Sequence, residues 1–458
     1  MTKEITPEQR FAAGQERRKQ MRRLAHATWQ SKLRKRTANG LLQQSMRGRL
    51  PALNAIKFER MAASPFGYFR GAVPVMAYDL SLVPNTGLVN QICGDAHVRN
   101  LGAFAAPDGQ LVFDINDFDE TTAGPFEWDV KRLATSLVLA ARAGGAAHKR
   151  ESEGAEAFLR SYSRFVGSFA EMAVLDLARY QVHRLRDVEP LSAILAKAER
   201  STPLHTLDVL TEPKGSGAGR GKKAVKAGKK GAKVKAEEGE PRGRVFRSEP
   251  PLLERVPEET ANGVLKALTK YGESLQPERR HFLEFYRPVD VAFKVVGTGS
   301  VGLRDFCVYL EGNGPGDPLF LQVKEETTSA YAPYVARSRM APRQEGERVV
   351  YGQRAMQLQS DPFLGWTQMK GRDYLVRQLN DHKASIQIED LKLSELVEYA
   401  AVCGEMLARG HARSGDACLL SGYIGSSGSF EEGILGFAAS YADQTEKDWK
   451  ELVRSRKK

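Results

Sequence analysis

The sequence predicts an α+β protein of two lobes, the helix-rich one encoded first and the β-rich one second. Three observations lead there. A tract rich in Lys, Gly and Ala between Lys214 and Lys235 divides the chain. Ahead of it, apolar residues recur at helical intervals behind a few short strand-like runs. Beyond it the pattern changes to strands joined by glycine-containing turns.

Composition sets the bounds. A chain of 458 residues, 41% apolar and 27% charged, has the material for two or three compact units. No run is apolar for long enough to cross a bilayer, and the amino terminus, MTKEITPEQRFAAGQERRKQMRR, is charged where a signal peptide requires an apolar stretch. A cytoplasmic protein with no membrane partner is the expectation. Cys93, Cys307, Cys403 and Cys418 are scattered without a CxxC pair, which argues against a disulfide framework or a zinc site. The formal charge of +12 invites a nucleic-acid partner, yet nine Lys and Arg with no acid among them lie in the 214–235 tract alone. That composition cannot supply a core, so the tract is expected to be a disordered linker, with a nucleic-acid-binding arm as the alternative.

Residues 1–50, rich in Arg, Lys and Gln, read as a basic helical arm with a solvated face. The first lobe, 51–212, opens with the apolar segment FGYFRG and a PNTG turn, then offers strands in LVNQIC (88–93) and LVFDI (111–115). WDVKRLATSLVLAARAGG sets Val130, Leu133, Leu137 and Ala141 on one helical face and stops at a glycine pair. Phe158, Tyr162, Phe165, Phe169 and Met172 form a second helical stripe, read as core. After the linker, taken as 213–244, a β-rich lobe spans 245–390. There VAFKVV, a glycine turn, RDFCVYLEG and DPLFLQVKEE give three strands, a helix follows near 344–358, and GWTQMK and RDYLVRQL give two more strands. Residues 391–458 return to helix, with Leu396, Ala400, Cys403 and Leu407 on one face.

Two constellations carry chemistry. In GDAHVRNLGAF (94–104) and LVFDINDFDE (111–120), Asp95 is followed five residues later by Asn100 and, after an apolar run, by Asp117. Acidic loops at the ends of strands bring such oxygens together, as Mg²⁺ requires of a few carboxylate or amide ligands completed by phosphate and water. Phosphoryl transfer also needs a carboxylate to orient a hydroxyl and accept its proton; Asp95 suits that role, and Asn100 and Asp117 suit the metal. Asp114 and Asp119 compete with Asp117 for the ion. The second constellation is GTGSVG at 297–302 between two strands, where Gly297, Gly299 and Gly302, with Ser300 in the same turn, let backbone N–H groups approach phosphates. Twenty-two residues after Gly302 a strand ends in Lys324, whose ammonium would reach the same phosphates. A tight hairpin and a solvent-facing lysine are the plain alternatives.

GDAHVRN with INDFDE resembles the H-G-D-x-H-x-x-N and I-D-F-x-D motifs of the aminoglycoside and choline kinase-like phosphotransferases, relatives of the protein kinases. GTGSVG with LQVK resembles the protein-kinase glycine loop and its strand lysine. RMAASPFGYFRG, EWDVKRLATS and YGQRAMQLQSDPFLGW further resemble an uncharacterised bacterial domain-of-unknown-function family. The kinase resemblance implies a protein-kinase-like two-lobed fold with ATP and Mg²⁺ as cofactors. It makes Asp95 the catalytic aspartate and Asn100 and Asp117 the metal ligands. It places Lys324, Gly297, Gly299, Ser300 and Gly302 on the phosphates, and makes Asp129 of EWDVKRLA the brace of the catalytic loop. The acceptor, a small molecule or a protein, is not named by it. A pseudokinase that binds nucleotide and signals by shape, and a nucleotidyl (AMP) transferase on the same scaffold, are the alternatives.

In the kinases the glycine loop and lysine precede the catalytic loop, whereas here they follow it. A circular permutation is therefore expected, the helical catalytic lobe first and the nucleotide lobe second, with the linker crossing between them. A flexible tract of about 32 residues reaches roughly 30 Å. On that arrangement the end of the long helix near His411 should lie beside Cys93, a position where the phosphotransferases usually have histidine. HARSGD at 411–416 is read as a helix end, because Ser421 stands where an asparagine is needed. A glutamate partner for Lys324 is sought at Glu345 or Glu347. His97, with no second His or Cys at ligand spacing, is assigned to packing or hydrogen bonding, and Asp119 to a supporting place beside it.

Overall fold

The run PLFLQVKEE shows how the sheet is specified. Its two-residue period puts Leu319, Leu321 and Val323 into one apolar core and Phe320 into another, so Gln322, Lys324 and Glu326 share the face of Phe320. In the computed structural model, which describes residues 5–106, 108–182, 188–214, 243–295, 297–336, 342–379 and 384–456, this strand is central to a six-stranded antiparallel sheet. The strand order is Gly365–Met369, Arg372–Gln378, Pro318–Glu326, Asp305–Glu311, Arg287–Lys294 and Leu253–Arg255. Val264 and Tyr271 of the helix Glu258–Tyr271 close one face over Val308, Leu321 and Val376. On the other face Leu207, Leu210 and Phe246 cover Tyr309 and Phe320. Leu375, opposite Lys324 in the ladder, already belongs to the core of the neighbouring helical body. Lys324 thus sits where the sheet meets that body.

The helical body makes the molecule a mixed α+β structure. Its central helix, Glu127–Ala143, is buried without interruption from Glu127 to Ala141, all round its circumference. The predicted stripes form the helices Glu153–Glu171 and Leu393–Ser414, which pack so closely that a Cβ on Gly404 would overlap the carbonyl of Phe158. Two small ladders lie beside them: Val89–Ile92 with Thr122–Pro125, and Leu101–Ala105 between Leu111–Ile115 and Ala384–Ser385. Among the described residues no helix is long and apolar enough to cross a membrane.

The basic amino-terminal residues do not present a simply solvated face. Helix Pro7–Gln20 packs on helix Ala417–Ile424, where a side chain on Gly14 or Gly422 would overlap the opposing backbone. The last carbonyls of that second helix need donors, and Arg18 supplies them to Gly422 and Tyr423 and Arg23 to Ile424. Arg34 is buried between Asp79 and Asp448.

The basic tract also differs from expectation. Its residues 215–242 lie outside the described residues, but its two ends are neighbours: Thr211–Pro213 pairs with Arg244–Phe246, and the Lys214 N–H donates to the Gly243 carbonyl at 2.7 Å. The residues flanking the tract thus pair with each other, so the passage between the lobes does not fall at the tract. The chain crosses earlier, between helix Glu189–Arg200, whose Leu191 and Ile194 join the helical core, and helix Pro203–Leu210, whose Leu207 and Leu210 join the sheet.

Candidate active site

The turn after the Val89–Ile92 strand is built around Gly94, whose φ of +78° and lack of a side chain let it pass the carbonyl of Glu120. Asp129, in the first turn of the central helix, accepts the N–H groups of Cys93 (2.8 Å) and Gly94 (2.9 Å) on its two oxygens. His411 Nε2 approaches the same Oδ2 at 3.4 Å, while its Nδ1 faces the Tyr162 hydroxyl at 2.8 Å. The helix end at His411 and the Cys93 turn therefore meet on one oxygen, as expected.

This turn presents Asp95 to a cleft of about 590 Å³, including its open mouth, between the helical body and the sheet. Arg132, fully buried in the central helix, donates from Nε (2.7 Å) and Nη2 to Asp95 Oδ1. His97 Nε2 is 3.8 Å from Oδ2. Burial, reinforced by Arg70 and Arg132, holds His97 well below the usual imidazole range, so it is neutral; Phe66 packs against its ring.

Asn100 ties the two acidic loops together. Its Nδ2 donates to the carbonyls of Asp95 and Asp117, both at 2.9 Å, and among the described residues its buried Oδ1 has no partner. Asp117 and Asp119 diverge. Burial and the adjacent Asp119 push the Asp117 carboxyl up to about 6. Burial also opposes ionisation of Asp119, but Lys324, Asp117 and Arg377 together hold that carboxyl below the usual range. Asp119 Oδ2 accepts from Lys324 Nζ and from Ser300 Oγ (3.0 Å), whereas among the described residues its buried Oδ1 has no donor. Asp114 is removed from the competition: it lies inside a strand, paired with Arg409.

Neither glutamate proposed for Lys324 reaches it. Glu345 accepts from Arg348 and Thr328, and Glu347 from the N–H of Arg343. Both lie at the first turn of their helix, where these other donors hold them. The same helix sends Arg348 to the site, where it donates to the carbonyls of Asp119 (2.9 Å) and Thr121 (2.6 Å). The carboxylates around Lys324 are instead Asp119 and Glu326, the latter 3.9 Å away. Burial and Asp119 push Glu326 well above the ordinary range.

The glycine loop lies across the cleft with Gly297 and Gly302 at positive φ. Its carbonyls are held from the helical body: Arg49 donates to Gly299 (2.9 Å) and Val301 (2.7 Å), Lys57 to Gly299 (2.7 Å) and Arg60 to Gly297, while the Leu50 N–H takes the Gly302 carbonyl at 2.7 Å. Gly297, Gly299 and Ser300 line the cleft with Asp95, Asp117 and Asp119. Lys324 joins the lining through Asp119 and Asn100 through the Asp95 and Asp117 carbonyls, while Asp129 acts through the N–H groups of Cys93 and Gly94.

Among the described residues no three His, Cys, Asp or Glu side chains converge to enclose an ion by themselves. Mg²⁺ asks for less: one or two carboxylates, an amide oxygen, and phosphate and water for the rest. The unpartnered oxygens of Asn100 and Asp119 beside Asp117 fit that demand.

Residues 49–455 match the model of a family described as an uncharacterized protein conserved in bacteria, DUF2252. The chain belongs to the DUF2252 family. The expectation of a bacterial domain of unknown function is met at that level. No curated protein and no solved structure matches this DUF2252 chain. Every cleft residue named above falls within the DUF2252 match, Arg49 being its first. Sequence reasoning missed Arg132 and the Arg49, Lys57 and Arg60 group. Arg132 stands three residues after Asp129 on a helix read for its apolar stripe, and nothing in the spacing of the other three sets them apart from ordinary surface cations.

Proposed function

We propose that this protein binds Mg·ATP in the cleft and transfers a phosphoryl group to a hydroxyl acceptor oriented by Asp95. One convergence carries the reading. Lys324 and Ser300, from the sheet side, both bind Asp119, 205 and 181 positions away in the chain, and Asn100 joins Asp117 to Asp95 beside it. A kinase-like site needs that combination of a phosphate lysine, a glycine loop and a metal-binding pair facing a carboxylate. The meeting of His411 with the Asp129 that grips Cys93 and Gly94 supports a circularly permuted kinase-like arrangement.

Each group then has a task. Bound Mg²⁺ would neutralise charge on the phosphate oxygens, held by Asp117, Asn100 Oδ1 and Asp119 Oδ1. Lys324 adds a point charge to the same phosphates. With its carbonyls already engaged, the glycine loop offers its N–H groups to the anion. Arg132 fixes Asp95 through Oδ1 and leaves Oδ2 for the acceptor hydroxyl, whose proton it takes. Isothermal titration of Mg·ATP tests the first half, and ATP turnover by Asp95→Asn the second. Absence of binding, or unchanged turnover in the variant, would sink the reading.

Binding without turnover is favoured by one observation, the direct Lys324–Asp119 pair, which engages the phosphate lysine and a candidate metal ligand with each other. Product analysis separates the cases: ADP marks phosphoryl transfer, AMP or pyrophosphate marks nucleotidyl transfer, and no product marks a pseudokinase.

A further inference from the structure

Most cations around the cleft are engaged by the protein itself. Arg132 is bound to Asp95, Arg49 to the glycine-loop carbonyls, Lys324 to Asp119, and Arg99 to Gln387 (3.0 Å) and Glu389 (3.3 Å). Arg70 is the exception. It ends the helix Pro65–Gly71, lines the cleft beside Asp95, His97 and Asp117, and forms no ion pair among the described residues. Its Nε is shut off from solvent with no acceptor among the described residues. A half-buried guanidinium without a partner is unfavourable unless something arrives to match it.

What would match it is an oxyanion. The planar fork of arginine pairs with two oxygens of a carboxylate or phosphate; Asp95 and Asp117 line the same cleft and act on Arg70 through space, but among the described residues neither forms a hydrogen bond or ion pair with it, and Asp95 Oδ1 is taken by Arg132. Position decides which reactant carries the anion. Lys324 and the glycine loop stand on the sheet side, while Arg70 stands on the helical side with Asp95 and His97, where the acceptor hydroxyl is to be oriented. The loop overhead is fastened by Arg49, Lys57 and Arg60, which favours a small acceptor over a protein chain.

We propose that Arg70 is a specificity residue of the acceptor subsite, and that the acceptor is a small hydroxyl compound bearing a carboxylate or phosphate. The hydroxyl rests on the phosphotransferase reading; the oxyanion site does not.

The test uses the full-length protein and simple anions. Inorganic phosphate and acetate are titrated separately into the free protein and into protein saturated with Mg·AMP-PNP, followed by calorimetry. At least one anion should bind in both states, and Arg70→Gln should weaken it roughly tenfold, as loss of one charge-assisted contact predicts. Arg70→Lys, which keeps the charge but not the fork, should fall between. The anion with the larger Arg70-dependent affinity identifies the acceptor's charged group. Mg·AMP-PNP affinity should be unchanged in both variants, with thermal melts verifying their fold. Binding of neither anion, anion binding indifferent to Arg70, or loss of nucleotide affinity in step with the anion would overturn the assignment. If wild-type protein fails to bind Mg·AMP-PNP, the phosphotransferase reading falls, while the anion titration of the free protein still decides Arg70.

Discussion

The N–H of Lys214 and the carbonyl of Gly243 are joined by a hydrogen bond of 2.7 Å, so the chain returns to its starting point after the basic tract. A loop whose ends are already paired contributes mainly its closure entropy, which varies slowly with length. Excising residues 215–242 in favour of a short turn should leave stability within about 1 kcal/mol and Mg·ATP affinity unchanged. Urea unfolding and calorimetry check this. A large loss of either would mean that the tract contacts the folded protein.

Asp129 holds two buried N–H groups, and replacing it by Ala removes both acceptors at once. The expected cost is about 3 kcal/mol, read from the urea midpoint at constant slope. Asp129→Asn, which retains one acceptor oxygen, should lose less.

Asn100→Ala should separate the two acidic loops, since one amide donates to both Asp95 and Asp117 carbonyls. Mg·ATP affinity is expected to drop at least about tenfold, with a stability loss of about 2 kcal/mol for the two carbonyls left bare. Calorimetry with and without Mg²⁺ distinguishes a metal effect from a general one: affinity without Mg²⁺ should fall less.

Gly94→Ala places a side chain at a φ of +78° against the carbonyl of Glu120. Backbone strain and overlap together should destabilise the protein by more than about 2 kcal/mol and abolish turnover, because Asp95 follows directly. Retained stability in a thermal melt would show that the turn can relax.

Asp305, the ladder partner of Lys324, gives a pH signature. Burial pushes its carboxyl from 3.8 up to about 7, with Lys324 acting in the opposite sense. The folded protein therefore binds this proton more tightly than the unfolded chain does. Its contribution to stability is whole below pH 3.8 and is lost as pH climbs toward about 7. Asp305→Asn keeps the neutral shape beside Gln322 and removes the titration. Its stability relative to the parent should improve across that window and level off above it, as urea titrations at several pH values would reveal.

Where periodicity and burial coincide, the sequence was readable. The helices 127–143, 153–171 and 393–414 and the five strands between 287 and 378 all follow from their apolar spacing. Leu101–Ala105 does not read as a strand because its glycine and alanines lack the branched side chains that mark one, and one of its two partners, Ala384–Ser385, lies far along the chain. Asp95, Asn100, Asp117 and Lys324 were legible because each stands in a motif of fixed spacing. The Lys324 partner was not, since a strand lysine's neighbour is chosen by tertiary contact: Asp119 approaches from another element, and Glu326, two residues on, shares its face of the pleat. The mixed roles of the basic residues were equally hidden. Arg18 and Arg23 end a helix, Arg34 is buried between two acids, and Arg348 holds a loop, but composition gives all four the same weight.

Arg49, Lys57 and Arg60 grip the glycine loop by its carbonyls from the opposite body, and burial and the nearby Arg49 push Lys57 down to about 7. The loop is thus a latched door whose catch belongs to the other side of the frame. If a nucleotide binds beneath the loop, as proposed above, those bonds would set how readily the loop lifts. Exchange of such a ligand would then be governed from residues 49–60, on the body opposite the sheet that carries the loop.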